Sequence, residues 1–234
     1  MKSSLTLIVV ILMMCSIDQV NAQVELKKGD RVVFLGDSIT QAGARPGGYV
    51  ALFRQAVDDH FGDGEVKVIG AGISGHKVPD CQKRLQRDVL SQDPTLVVIY
   101  IGINDVWHSQ NNRGTSKQDY REGLVDLINR IKKAGSKVVL CTPSVIGEKT
   151  DGSNSLDKLL DEYCDISRKV AKENEVSMLD LRKEFLDHLK KENQSNKPSK
   201  VLTTDGVHLN PAGNRFVCQC VMEATGVRPS QESK

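Results

Sequence analysis

The sequence predicts an α/β domain in which βαβ units build a parallel sheet. Short apolar runs alternate with amphipathic helical stretches from end to end. The run at 95–101 is the most hydrophobic outside the N-terminal leader, as a central strand covered on both faces requires. Several runs also break into glycine followed by small polar residues. In a parallel sheet those breaks share one edge, where open α/β sheets bind ligands.

The N-terminus stands apart from this pattern. Lys2 supplies a positive charge, residues 5–14 form a nearly unbroken apolar run, and Val20-Asn21-Ala22 offers a small-residue cleavage site. Residues 1–22 therefore read as a secretory signal peptide, with an apolar core too short for a membrane span. The competing reading is a lipoprotein box, Leu12-Met13-Met14-Cys15, which two bulky methionines before Cys15 fit poorly. The expected product is exported, to the periplasm or the medium, as one domain over 23–227 with a frayed tail at 228–234.

The first strand is expected at 31–35, and Pro46-Gly47-Gly48 punctuates the loop after it. Residues 49–60 form a helix with Leu52, Phe53, Ala56 and Val57 on one face. A second strand at 65–69 runs into Gly70-Ala71-Gly72-Ile73-Ser74-Gly75. The helix at 78–90 carries only a thin stripe of Val78, Cys81, Leu85 and Val89. After the central strand, 109–116 reads as a polar loop. Ser116 can cap a helix striped by Tyr120, Leu124, Leu127, Ile128 and Ile131, which Gly135 stops. The fourth strand is 137–141, followed by a long polar loop at 143–154. A helix at 155–174, a short strand at 176–179 and a helix at 181–190 come next. Residues 193–200 read as a solvated loop containing a formal glycosylation sequon, Asn193-Gln194-Ser195. Pro211 opens a last helix that ends near Thr225.

A formal net charge of +2 gives no footing for nucleic acid or an anionic membrane surface. Beyond the leader, no apolar run is long enough to span a bilayer. Five cysteines follow the cleavage site, Cys81, Cys141, Cys164, Cys218 and Cys220, so at least one stays unpaired within a monomer. A single disulfide is compatible with the sequence, whereas a cysteine framework is not expected. Cys218-Gln219-Cys220 lacks the second pair or histidine cluster that a zinc site needs, and no metal is expected.

Chemistry is expected where the strand ends converge. The first ends at Gly36-Asp37-Ser38, the second at Gly70-Ala71-Gly72 and the third at Gly102-Ile103-Asn104-Asp105. Acyl transfer needs a nucleophile, a base, a group that orients the base, and donors for the developing oxyanion. Ser38 can be the nucleophile, the Gly72 N–H can approach closely without a side chain, and the Asn104 amide can donate. Asp205-Gly206-Val207-His208 can supply the base and its orienting carboxylate from one tight turn. His108 is a rival base near Asn104, but no carboxylate stands behind it as Asp205 stands behind His208. Asp37, beside the serine, reads as a residue that holds the turn.

These four blocks, in this order, resemble the SGNH hydrolases, also called the GDSL esterase/lipase family. Gly36-Asp37-Ser38-Ile39 is similar to the first block, Gly72 to the second, Gly102-Ile103-Asn104-Asp105 to the third and Asp205-Gly206-Val207-His208-Leu209 to the fifth. The resemblance implies Ser38, Asp205 and His208 as catalytic residues. It also implies an oxyanion hole of the Ser38 N–H, the Gly72 N–H and the Asn104 side chain. The implied fold is a flavodoxin-like three-layer α/β/α sandwich on a five-stranded parallel sheet.

The implied reaction is ester hydrolysis through an acyl-enzyme, with neutral His208 as base and no metal or organic cofactor. Activity is accordingly expected to fall toward acid pH. A compact chain with 4% aromatic residues and no lid-sized insertion favours a small acyl group, such as acetate on a carbohydrate or other alcohol. Tyr49, Trp107 and the 143–154 loop are the expected pocket walls. A lysophospholipase or thioesterase acting on longer acyl chains is the alternative within enzymes. A non-catalytic carbohydrate-binding member is the alternative outside them.

Overall fold

The computed structural model describes residues 24–228. The expected signal peptide at 1–22, Cys15, and residues 229–234 of the tail expected at 228–234 lie outside the described residues.

Five strands form one parallel sheet: β1 (Arg31–Gly36), β2 (Lys67–Gly72), β3 (Leu96–Tyr100), β4 (Lys137–Cys141) and β5 (Ser177–Leu179). Their order is β2-β1-β3-β4-β5, so the chain reverses direction across the sheet after β2. β3 lies at the centre, and every one of its residues is buried, as its unbroken hydrophobicity predicts. The register aligns Gly36 with Gly72 on one side and with Tyr100 on the other. The ends of β1, β2 and β3 are thereby level, which brings three of the polar breaks to one rim.

Helices cover both faces. They are α1 (Ser38–Gly43), α2 (Tyr49–Phe61), α3 (Val78–Asp88), α4 (Ile103–Trp107), α5 (Lys117–Lys133), α6 (Asp157–Glu173), α7 (Leu181–Glu192) and α8 (Pro211–Ala224). α2 packs against α8, and α5 packs against both α3 and α6. Ser116 caps α5 by accepting from Asp119 N at 3.0 Å, as its position predicts. Phe34 stands edge-on to Phe53 and Tyr49, locking α2 onto β1.

Three local expectations change. The stretch after β3 is helical, with α4 and a single 3-10 turn (His108–Asn111) where a plain loop was expected from 109. The short polar side chains there disguise it, while buried Ile103 and Val106 hold it down. The thin stripe on α3 is completed by Arg84, which is buried. Asn193, expected in a solvated loop, is also buried. Its amide donates to Glu148 O at 2.7 Å and Lys197 O at 2.8 Å, so the sequon nitrogen is consumed inside the fold.

All five cysteines of the described residues are buried free thiols. Burial pushes Cys81, Cys164 and Cys220 up to about 12, which leaves them inert small hydrophobes.

Candidate active site

Gly36 ends β1 where a side chain has no room: a Cβ would strike Thr40 and the Tyr100 carbonyl. The next residue, Asp37, caps α1 by accepting from Ile39 N at 2.9 Å. Ser38 is therefore the first residue of a helix that starts at the sheet rim. The Asp37 carboxyl is fully buried, and desolvation together with nearby Asp105 raises it to about 7, against the Ile39 hydrogen bond. Its contact is with the turn, in agreement with the sequence reading.

The Asp205–His208 turn folds back on itself. Gly206 adopts φ +97°, a conformation that side chains disfavour. One Asp205 oxygen accepts from Val207 N at 3.0 Å and His208 N at 2.8 Å. The other meets His208 Nδ1 at 2.8 Å. Partial burial pushes the Asp205 carboxyl up. The His208 ring and the two backbone N–H groups outweigh that and hold it below the usual carboxylate value. On the far side of the ring, His208 Nε2 lies 3.1 Å from Ser38 Oγ. Serine, imidazole and carboxylate thus form one continuous chain across 170 residues of sequence.

The remaining polar residues arrive from β2 and β3. Gly72 is packed against the α1 backbone so closely that a Cβ would collide with Gln41 N, Thr40 C and Asp37 O. Asn104 is buried in the first turn of α4, and its amide donates to His76 O at 3.0 Å. That bond fixes the direction of the side chain. Next to it, the Asp105 carboxylate accepts from Val78 N at 3.2 and 3.3 Å and anchors α3 beneath the rim.

Arg84 is the residue that sequence reasoning missed here. Its guanidinium donates to Gly36 O at 2.7 Å, to Ala71 O at 2.8 Å and to His76 Nδ1 at 3.1 Å. Each acceptor stands next to a site segment: Gly36 before Asp37-Ser38, Ala71 before Gly72, and His76 whose carbonyl holds Asn104. The available signal was spacing, since Arg84 lies three residues after Cys81 on the apolar stripe. A cation there needs buried acceptors.

Tyr49 and Trp107, two of the three expected pocket walls, separate. Tyr49 is only 1% exposed and belongs to the core, with its hydroxyl 2.8 Å from Thr40 Oγ1. Its place at the start of α2 suggested a rim, but the helix turns that residue inward onto Phe34. Trp107 is half-buried, with its ring 6.1 Å from the His208 ring and edge-on to it. His108 sits beside Trp107, with ring centroids 6.5 Å apart. The imidazole within hydrogen-bond reach of Ser38 is that of His208.

Among the described residues, no group of three or more His, Cys, Asp or Glu side chains could hold a metal ion. Nor is any helix there long and apolar enough to cross a membrane.

A family model described as GDSL-like lipase/acylhydrolase matches residues 34–216. The chain is 29% identical over 222 residues to an acetylxylan esterase of Geobacillus stearothermophilus, covering 86% of this chain and 96% of that protein. It is 26% identical over 196 residues to an arylesterase of Vibrio mimicus, covering 83% and 87%. Among solved structures, the acetyl xylan esterase AlAXEase superposes with a TM-score of 0.81 at 43% identity, over 83% of this chain and 98% of that one. Axe2, the acetylxylan esterase from Geobacillus stearothermophilus, superposes with a TM-score of 0.78 at 27% identity, over 89% and 100%. The chain belongs to the GDSL-like lipase/acylhydrolase family and is a carboxylic ester hydrolase.

Proposed function

We propose that the protein is an exported serine esterase that removes acetyl groups from carbohydrates through an acyl-enzyme. The observation that carries this reading is the unbroken hydrogen-bonded chain from Ser38 Oγ through His208 to Asp205, at 3.1 and 2.8 Å. His208 Nε2 takes the Ser38 proton as Oγ attacks the ester carbonyl. Asp205 holds Nδ1–H toward itself and stabilises the imidazolium that forms. The developing oxyanion is received by the Ser38 N–H, the Gly72 N–H and the Asn104 amide. His208 then protonates the leaving alcohol, and water repeats the sequence to release acetate.

The relatives support both the residues and the acyl group. Catalytic mutants of Axe2 replace a serine, an aspartate and, three positions after it, a histidine. Asp205 and His208 keep that separation here. Two of the relatives act on acetylxylan by name, and others are named for isoamyl acetate. Trp107 forms a wall of the acyl or sugar site beside His208. Export rests on the signal-like residues 1–22. A Bacillus subtilis relative named as a lipoprotein, 29% identical over 179 residues, is consistent with a secreted setting.

The test is release of acetate from acetylated xylooligosaccharides, run beside hydrolysis of nitrophenyl acetate and nitrophenyl decanoate. Acetate release with preference for the short ester is the expected result, and Ser38→Ala should remove it. Preference for the decanoate would overturn the acetyl assignment.

A further inference from the structure

The segment that carries Asp205 and His208 belongs to no sheet. Val201 and Leu202 lead into it through bends and Thr203 bridges only to Leu209, and because these residues are buried or half-buried their backbone groups need partners. Their carbonyls are taken by Asn210: its Nδ2 donates to Val201 O at 3.1 Å and Thr203 O at 3.2 Å, and its backbone N donates to Leu202 O at 3.0 Å. Their three N–H groups all go to one side chain. Glu148 Oε2 accepts from Val201 N at 2.8 Å, and Oε1 accepts from Leu202 N at 2.7 Å and Thr203 N at 2.6 Å.

Glu148 sits in the loop between β4 and α6 and is fully buried. Among the described residues no cation pairs with it, so these three N–H donors are its compensation. Its own backbone is fastened to the same region. Glu148 N donates to Pro198 O at 3.0 Å, Gly147 N donates to Gly206 O at 2.8 Å, and the buried Asn193 amide donates to Glu148 O at 2.7 Å. Thr203 Oγ1 in turn accepts from Gly206 N at 2.9 Å, and Thr204 N donates to His208 O at 2.7 Å. Glu148 thus grips the base of the turn whose tip presents His208.

We propose that Glu148 is a positioning residue for ester hydrolysis, fixing the 201–203 segment so that His208 Nε2 stays within reach of Ser38 Oγ. The proposal rests on the Ser38–His208 reading above. It requires a side chain with two acceptor oxygens. Three N–H groups converge on two oxygens, and an amide would turn an NH₂ group against at least one of them. Glutamine therefore keeps the volume and spoils the grip.

The experiment measures kcat and KM for nitrophenyl acetate in Glu148→Gln and Glu148→Asp, at a temperature where near-UV circular dichroism shows each variant folded. The aspartate keeps the charge but is one methylene too short to reach all three N–H groups. Misplacement of a reacting group by about 1 Å costs on the order of 10²-fold. The expected result is a loss of kcat of roughly that size in Glu148→Gln. A smaller loss is expected in Glu148→Asp, and KM should stay within about twofold in both; kcat is taken per Ser38 titrated to completion with a fluorophosphonate, so that a smaller folded fraction does not mimic the loss. Wild-type kcat in folded Glu148→Gln overturns the proposal. So does failure of both variants to fold, which would make the residue purely structural. Ser38→Ala is assayed alongside: if it stays active, the reading of the site has failed, and if it is inactive while both Glu148 variants are unimpaired, only the positioning role has failed.

Discussion

Asp205 holds His208 twice, through the ring at Nδ1 and through the backbone N–H, with a different carboxylate oxygen for each at 2.8 Å. One side chain therefore sets the tautomer of the imidazole and the shape of the turn that carries it. Asp205→Asn keeps an oxygen for the backbone bonds but offers an NH₂ group to the ring. In a serine triad of this kind the wrong tautomer costs about 10⁴ in turnover. We expect a kcat loss of that order in Asp205→Asn, with the far-UV circular dichroism spectrum unchanged. A loss under tenfold would show that the backbone bonds, not the ring bond, are what Asp205 contributes.

Asn104 is a donor whose direction is set in advance, since His76 O already holds one of its amide hydrogens. Removal of one oxyanion donor typically costs about 10²–10³ in kcat. Asn104→Ala should fall in that range with little change in KM. Steady-state kinetics on a short nitrophenyl ester reads both quantities. A change confined to KM would place Asn104 in ground-state binding instead.

Asp37 gives the protein a pH signature separate from catalysis. Its carboxyl is raised from 3.8 to about 7 in the fold, so the folded state holds that proton more tightly than the unfolded chain does. Such a group stabilises fully below the unfolded value, and the contribution is lost as pH rises through the folded value. Buried Asp105, raised to about 6, acts in the same direction. Asp37→Asn keeps an acceptor for Ile39 N and removes the titration. The wild type should therefore lose stability relative to Asp37→Asn as pH rises from about 4 to 7. Denaturation midpoints measured across that range should converge at the acid end, and parallel curves would refute the assignment.

Gly72 is fixed by space. A Cβ there meets three backbone atoms of the 37–41 segment, none of which can swing aside. Gly72→Ala should lower the melting temperature and the activity together, because relief of the collision moves α1 and Ser38 with it. An alanine variant with wild-type melting would mean that the two strand ends are not locked.

Much of this arrangement was legible in the chain before folding. Strand 137–141 coincides with β4 because its apolar run is bounded cleanly by Ser136 and Thr142. The order of the polar breaks at Ser38, Gly72 and Asn104 carried over because in a parallel sheet strand ends must be neighbours. What stayed hidden were polar residues whose partners are backbone atoms far away in sequence. Arg84 looks like one more charge on a charged helix, and Glu148 like one more polar residue in a polar loop. Periodicity reports apolar burial only, so a buried ion compensated by carbonyls or N–H groups leaves no trace in it. Tyr49 failed for the opposite reason: a large residue next to a glycine-rich turn resembles a rim, and only tertiary packing turns it into the core.

The central claim is that Ser38 is the nucleophile and that His208 activates it. Labelling the intact protein with a fluorophosphonate and locating the adduct by peptide mass spectrometry tests it most directly. The account predicts a single adduct on Ser38, formed far more slowly in His208→Ala. Absence of an adduct on the folded protein, or an adduct on another residue, would contradict it.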